Sequence, residues 1–168
     1  MKTIIATLLL VNIGLASFGQ IAFVDSKYIL NKMPDYRDSL AKINQTAKIW
    51  QKEIEDKQAI VEKMTLDFNR DEVMLTDDAK KNRTDALNQH QKEVRELQRA
   101  RFGFEGELFK MRQALLKPME DSVMNAIQKT ANRLSYATVL DKSEGITVIY
   151  TNPRLDITNE VMKDMGIL

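Results

Sequence analysis

The sequence predicts an α+β protein that is mainly helical. We expect a long antiparallel coiled-coil helical hairpin that projects from a small β body completed by oligomerisation. Apolar residues recur at alternating spacings of three and four over residues 40–115, which is the pattern of a left-handed coiled-coil seam. The pattern mirrors itself about residues 77–78, as it does in two antiparallel helices. Short runs of strand-forming residues lie on either side of it, at 21–24, 136–140 and 146–150.

The overall composition excludes several classes of function. The chain has 25 Lys and Arg against 24 Asp and Glu in 168 residues, so its charge does not indicate a nucleic-acid partner. It contains no Cys, which excludes disulfides and thiolate zinc sites. It has one His, no glycine-rich phosphate loop and no nucleophile motif. We therefore expect no enzyme activity, no cofactor and no metal.

Residues 1–19 have the pattern of a signal peptide. A lysine near the start is followed by an apolar core at residues 4–11, and Ser17 and Gly19 supply the small residues of a cleavage site before Gln20. The apolar run is too short to span a bilayer, although an uncleaved anchor is the alternative interpretation. Export of a chain without disulfides indicates the bacterial periplasm.

The predicted body begins with residues 20–34. They supply a strand at 21–24, a turn that begins at Asp25 and a short helix. Pro34 ends this helix, because proline disfavours helical conformation in the residue before it.

Residues 35–117 are the predicted hairpin, with its tip near residues 75–79. Thr76 can cap the second helix, and two aspartates follow it in the positively polarised first turn. Each arm has about 36 residues, which at ~1.5 Å per residue extend roughly 50 Å. The seam positions are Leu40, Ile43, Ala47, Trp50, Ile54, Val61, Met64 and Phe68 in the first arm, and Leu87, Val94, Leu97, Phe104, Leu108, Met111 and Leu115 in the second.

Residues 118–168 complete the predicted body with a helix, a β-hairpin and a C-terminal helix. The strands at 136–140 and 146–150 are joined by a loop that ends near Gly145. The last helix is capped by Asp156 or Thr158 and ends at Gly166. Three strands of four or five residues are marginal alone, so we expect several copies of the chain to pool their strands.

Polar residues interrupt the seam at Lys57, His90 and Arg101. Polar groups at seam positions lower coiled-coil stability, so these residues could let the arms bend or splay. The alternative is that their side chains extend outward into solvent.

Two glycines, Gly103 and Gly106, flank Phe104, which the seam register places opposite Trp50. Glycine inside a helix costs about 1 kcal/mol relative to alanine, so a reason for both is expected. We favour room for the indole ring over a hinge.

Apolar residues outside the seam are candidate contacts with a client protein or a neighbouring subunit. Phe102, Phe109 and Leu116 form a second stripe at heptad spacing, which either packs against the body or another subunit or lines a client cavity. Further candidates for client contact lie along the arm and at its tip: Ile49, Ile60, Leu66, Val73, Met74 and Leu75.

Several segments together resemble the Skp/OmpH family of periplasmic holdase chaperones. The segments are IAFVDS at residues 21–26, ILNKMP at 29–34, RFGFEGELF at 101–109, LKP at 116–118, DKS at 141–143 and YTNP at 150–153. The resemblance implies a homotrimer with a barrel-like body and three hairpins around a cavity that binds unfolded outer-membrane proteins without nucleotide. This chain departs from the strongly basic family members in its balanced charge.

The function expected from the residues and the resemblance is that of an ATP-independent periplasmic holdase. The alternative is a cell-envelope adaptor that uses the hairpin as a docking rod without chaperone activity. Lipopolysaccharide and the membrane surface stay open as further partners, with no residue pattern in support of either.

Overall fold

The computed structural model describes residues 21–143, 145 and 147–168. The predicted signal peptide and the cleavage position at Gln20 lie outside these residues. The described chain divides into two compact units. One comprises residues 34–119, and the other comprises residues 21–33 and 120–168.

The second of these units contains a two-stranded parallel sheet. Strand β1 (Ile21–Val24) pairs with strand β2 (Thr138–Asp141), with Ile21 opposite Thr138 and Val24 opposite Asp141. On the other side of β1, Phe23 forms a single parallel bridge to Asp156. The sheet of this unit therefore joins two strands that lie more than a hundred residues apart in the chain.

Three helices lie with the sheet: α1 (Ser26–Lys32), α5 (Lys117–Arg133) and α6 (Thr158–Asp164). Their apolar faces provide most of the buried apolar side chains of this unit, which are Ala22, Val24, Ile29, Leu30, Val123, Ile127, Ala131, Ile157, Val161 and Met162. The α6 helix ends as predicted at Gly166, which has a φ of 68°. Its amide bonds to the Lys163 carbonyl, and the next amide bonds to Met162, as in a Schellman motif.

The other unit is the predicted helical hairpin. Helix α2 (Pro34–Asp71) is followed by a 3₁₀ turn (Glu72–Met74), helix α3 (Asp77–Phe102) and helix α4 (Glu107–Leu115). The Thr76 hydroxyl accepts a hydrogen bond from the Ala79 amide at 3.3 Å, so this residue caps α3 as predicted. Ile43, Ile54 and Val94 are the most buried seam residues.

Two ion pairs between the arms show their antiparallel register. Arg83 Nη1 lies 2.9 Å from the Asp71 carboxylate near the tip, and Arg101 Nη2 lies 3.6 Å from Glu53 further along the hairpin. Both pairs match the mirror symmetry of the apolar repeat.

The predicted pairing of Phe104 with Trp50 is wrong. The second arm is interrupted at residues 103–106, and Phe104 is 95% exposed. Phe102 contacts Trp50 instead, with ring centroids 6.4 Å apart and planes at 86°. The turn ends α3 before the register reaches Phe104, which is why the continuous repeat gave the wrong partner.

The predicted β-hairpin in residues 118–168 is also wrong. The partner of β2 is β1, and residues 147–150 belong to no strand in the described chain. Ile149 and Tyr150 are 96% and 80% exposed, while Glu144 and Ile146 lie outside the described residues. Strand propensity predicted that the segment could pair, but propensity does not specify a partner. Among the described residues, no helix is long and apolar enough to cross a membrane.

Candidate functional site

Arg101 joins three helices at the point where α3 ends. Its guanidinium carbon lies 4.7 Å from the centre of the Trp50 ring on α2, and Nη2 lies 3.6 Å from Glu53 on the same helix. Nη1 also pairs with Glu107 in the first turn of α4. The side chain is 23% exposed, and its buried Nε has no hydrogen-bond partner in the described structure. Arg101, a polar residue at a seam position, thus connects α2 to both segments of the second arm.

The two predicted glycine positions form the turn itself. Gly103 donates its amide to the Arg99 carbonyl, and Gly106 donates to the Gly103 carbonyl, each at 2.9 Å. A Cβ added at Gly106 would lie 2.8 Å from the Ala100 carbonyl oxygen, and one at Gly103 would overlap the Arg99 carbonyl. The close neighbours are backbone atoms, so room for the Trp50 ring is the wrong explanation. Glycine is required because the chain turns back against its own carbonyls.

The other two polar seam positions are exposed. Lys57 is open to solvent, and the His90 side chain is 47% exposed with Nδ1 3.6 Å from Glu93. Both placements agree with side chains that extend away from the seam. Arm flexibility at these positions stays a prediction.

The candidate apolar contacts fall into three environments. Val73 and Met74 at the tip are 89% and 80% exposed, and Ile49, Ile60 and Leu66 along α2 are also exposed. Leu75 is half-buried. Of the second stripe, Phe109 is exposed and Leu116 is buried, while Phe102 packs against Trp50. Five aliphatic side chains of this set are therefore accessible on the hairpin, and their contacts with a client stay a prediction.

Phe104 is an exposed aromatic residue whose exposure the sequence pattern did not predict. Its heptad spacing placed it in the seam, whereas the structure holds it outside. The signal that could have revealed it is the Gly-x-x-Gly spacing around it, since two glycines within four residues are more typical of a turn than of a helix.

Charged side chains also connect the arms at the tip. Asp71 accepts hydrogen bonds from Arg83 on the opposite arm and from the neighbouring Arg70, at 2.9 and 3.0 Å. The bonds from Arg83 and Arg70 lower the pKa of Asp71. The Asp71–Arg83 ion pair thus connects the two arms next to the exposed Val73 and Met74.

A second polar cluster lies where the two parallel strands end. Asp141 accepts hydrogen bonds from the Ser26 hydroxyl and from the Ser143 amide, the latter at 2.9 Å. Burial alone would raise the pKa of Asp141, but the bonds from Ser26 and Ser143 outweigh it and hold this pKa below its ordinary value. The carboxylate thereby ties the start of α1 to the end of β2.

On the other side of β1, the Asp156 carboxylate likewise joins two segments of the chain through hydrogen bonds. It accepts from Lys142 Nζ at 2.6 Å and from the Thr158 amide at 3.0 Å. Burial opposes ionisation, yet the bonds from Lys142 and Thr158 lower the pKa of Asp156. Every carboxylate of the cluster has a protein donor. Within the described residues, no group of His, Cys, Asp and Glu is arranged to hold a metal ion.

Comparison with known proteins identifies the family. A family model described as Outer membrane protein (OmpH-like) matches residues 20–165. The chain belongs to this family. The predicted OmpH relationship is therefore confirmed, and the match includes both the hairpin and the strand-bearing segments.

A solved structure has the same fold as this OmpH-like chain. It comes from Caulobacter crescentus CB15 and is described as a candidate outer membrane chaperone (OmpH-like). The TM-score is 0.61, at 16% sequence identity, and the alignment covers 92% of this chain and 86% of that one. The mainly helical α+β class with its long hairpin is thus confirmed. No curated protein sequence matches the chain.

Proposed function

We propose that this OmpH-like protein is an ATP-independent holdase chaperone of the periplasm that binds unfolded outer-membrane proteins and prevents their aggregation. The observation that carries the proposal is the exposed apolar surface of the hairpin. Val73 and Met74 at the apex and Ile49, Ile60 and Leu66 along α2 contribute nothing to the seam. Neighbouring exposed apolar side chains, such as Val73 and Met74, are more typical of an interaction surface than isolated ones. The fold shared with a candidate outer membrane chaperone supports the same function.

Client binding in this proposal is multivalent. Each exposed side chain makes a weak apolar contact, and several arms around one unfolded chain combine these contacts through a high effective concentration. Release follows when the client folds or is transferred, and the mechanism uses neither nucleotide nor a catalytic residue. Export by residues 1–19, with cleavage before Gln20, places the protein in the periplasm with its clients.

The proposed assembly is a homotrimer whose β body is shared between copies. In the described chain, β2 has a strand partner on one side only. An open groove of about 460 Å³ lies beside it, lined in part by Ile127 and Ala131 of α5 and by Val139 of β2. The exposed segment 147–150 has the composition of a strand without a partner. Strand exchange between copies would satisfy the free edge and the free segment together.

The test is suppression of aggregation. A urea-unfolded β-barrel outer-membrane protein is diluted into buffer with or without the mature protein, and light scattering is recorded. We expect near-complete suppression at a stoichiometric amount of trimer, and no effect of added ATP. An adaptor protein without chaperone activity would leave the scattering unchanged, which would overturn the proposal.

Two variants test whether the activity depends on the hairpin. V73S combined with M74S and I49S should require several-fold more protein for the same suppression, because three exposed apolar contacts are lost. The control is L168S, which removes an exposed apolar side chain outside the hairpin. Equal activity of both variants would show that the hairpin surface does not bind the client.

A further inference from the structure

The turn between α3 and α4 holds Phe104 in solvent by means of an ordered scaffold. The side chain is 95% exposed, although Arg101 fixes the turn by its contacts with Trp50, Glu53 and Glu107. Glu105 adopts a φ of 55°, in the left-handed region that non-glycine residues rarely adopt. An exposed aromatic ring on an ordered turn is suited to act as a binding anchor, because the backbone that carries it loses little further entropy on binding.

A groove lies directly beside this turn. It has a volume of about 360 Å³ and is lined by Arg95, Gln98, Arg99, Phe102 and Gly103. Arg95 and Arg99 are four residues apart and therefore lie on the same face of α3. Both are exposed, and neither has a carboxylate partner in the part of the chain that the structure describes. In contrast, Lys92 pairs with Glu96 on the same helix, and Arg101 has two carboxylate partners.

We propose that the groove and Phe104 together bind an aromatic side chain flanked by carboxylates in an unfolded polypeptide. This proposal deepens the holdase function and rests on it for the source of the polypeptide. The two guanidinium groups supply paired donors for carboxylates, and Phe102 and Phe104 supply ring surfaces for an aromatic side chain. A segment with lysines in place of the acidic residues would be repelled. The balanced charge of the whole chain thus conceals a local surface that selects acidic aromatic segments.

The test compares two fluorescent peptides for binding to the mature full chain. Both are unstructured twelve-residue peptides with two Phe and identical spacers. One has Glu and the other Lys beside each Phe. We expect the Glu peptide to bind at least about tenfold more tightly at low salt, and this preference to shrink as salt is added, since exposed ion pairs are screened.

Variants locate the binding surface. R95Q combined with R99Q should abolish the preference for the Glu peptide, and F104S should weaken binding of that peptide by about tenfold through loss of a buried aromatic contact. The control is K63Q combined with K81Q, which removes the same two positive charges from exposed positions elsewhere on the hairpin. Helical circular dichroism and Trp50 fluorescence should be unchanged in all three, because none of the substituted side chains packs against Trp50.

The outcomes separate this proposal from the holdase function. If the unmodified protein suppresses aggregation but binds both peptides equally, the acidic aromatic site is wrong while the holdase function stands. Equal loss of the preference in the K63Q/K81Q control would also overturn the site, since total charge would then explain the selectivity. If F104S changes the sedimentation coefficient, a second copy of the chain covers the ring and the proposal fails. Selective binding that depends on Arg95, Arg99 and Phe104 supports the site even if aggregation is not suppressed.

Discussion

At the scale of single residues, Arg101 both interrupts the apolar seam and connects the helices around it. In the apolar repeat, it interrupts the seam with a charge. In the structure, the Arg101 side chain is 23% exposed, and its guanidinium contacts Trp50 and two carboxylates. A cation over an indole ring contributes about 0.5–1 kcal/mol at an accessible site. The interrupted seam is therefore partly stabilised by the residue that interrupts it.

The two glycines give a residue-scale prediction. G106A should lower the free energy of unfolding by about 1–3 kcal/mol, because the new Cβ would lie 2.8 Å from the Ala100 carbonyl oxygen. Urea unfolding followed by circular dichroism measures the change. S122G is the control, since it alters an exposed position inside α5 and should cost only about 0.5 kcal/mol from helix propensity. If G106A instead raised the stability, residues 103–106 would be a strained helix rather than a turn.

At the scale of secondary-structure elements, the hairpin and the sheet depend on different interactions. The hairpin arms meet through a repeated apolar seam with ion pairs at Asp71 and Glu53. The sheet has two short strands, and its ends are tied by the carboxylates of Asp141 and Asp156. A hydrogen bond to a charged acceptor contributes more than one between neutral groups, so these two carboxylates help to stabilise a sheet of only two short strands.

The lowered pKa values of Asp141 and Asp156 predict how stability depends on pH. A carboxyl group whose pKa is lower in the folded state stabilises the fold above its unfolded pKa, near 3.9, and this contribution is lost as the pH falls through the folded value. The free energy of unfolding should thus be constant from about pH 6 to 7 and fall below about pH 4.

Variants assign this pH dependence to the cluster. D141N should lower stability at pH 7 by about 1 kcal/mol, because the Ser26 and Ser143 donors lose a charged acceptor. The difference from the unmodified protein should shrink below about pH 4, where the carboxyl group protonates. D85N, at an exposed position of α3, is the control and should have no comparable effect. A difference that did not change with pH would contradict the assigned role of the carboxylate.

At the scale of the whole molecule, the segment 147–150 predicts how copies assemble. I149K combined with Y150K should prevent this exposed segment from pairing with the free edge of β2 in another copy, because charged side chains block edge-to-edge pairing. Sedimentation velocity should show a trimer for the mature protein and a smaller species for the variant. I60K, which adds a charge to an exposed position on α2, is the control and should stay trimeric. A monomeric unmodified protein would contradict the assembly.

Much of the hairpin could be predicted from the chain itself. A seam repeat has the same period along its length, and antiparallel helices add a mirror relation, so the partners of Asp71 and Glu53 follow from position alone. The Thr76 cap and the stop at Gly166 were also predictable, because each depends on one residue and its own backbone. These are local or periodic properties, which neighbouring residues determine.

The tertiary structure alone decided which ring contacts Trp50 and which strand pairs with β2. Phe102 and Phe104 are two residues apart with the same side chain, and only the turn at Gly103 and Gly106 selects between them. Residues 21–24 lie more than a hundred positions before β2, yet they pair with β2 and the nearby residues 147–150 do not. Pairing over such a distance depends on the fold of the chain as a whole, since strand propensity carries no information about the partner.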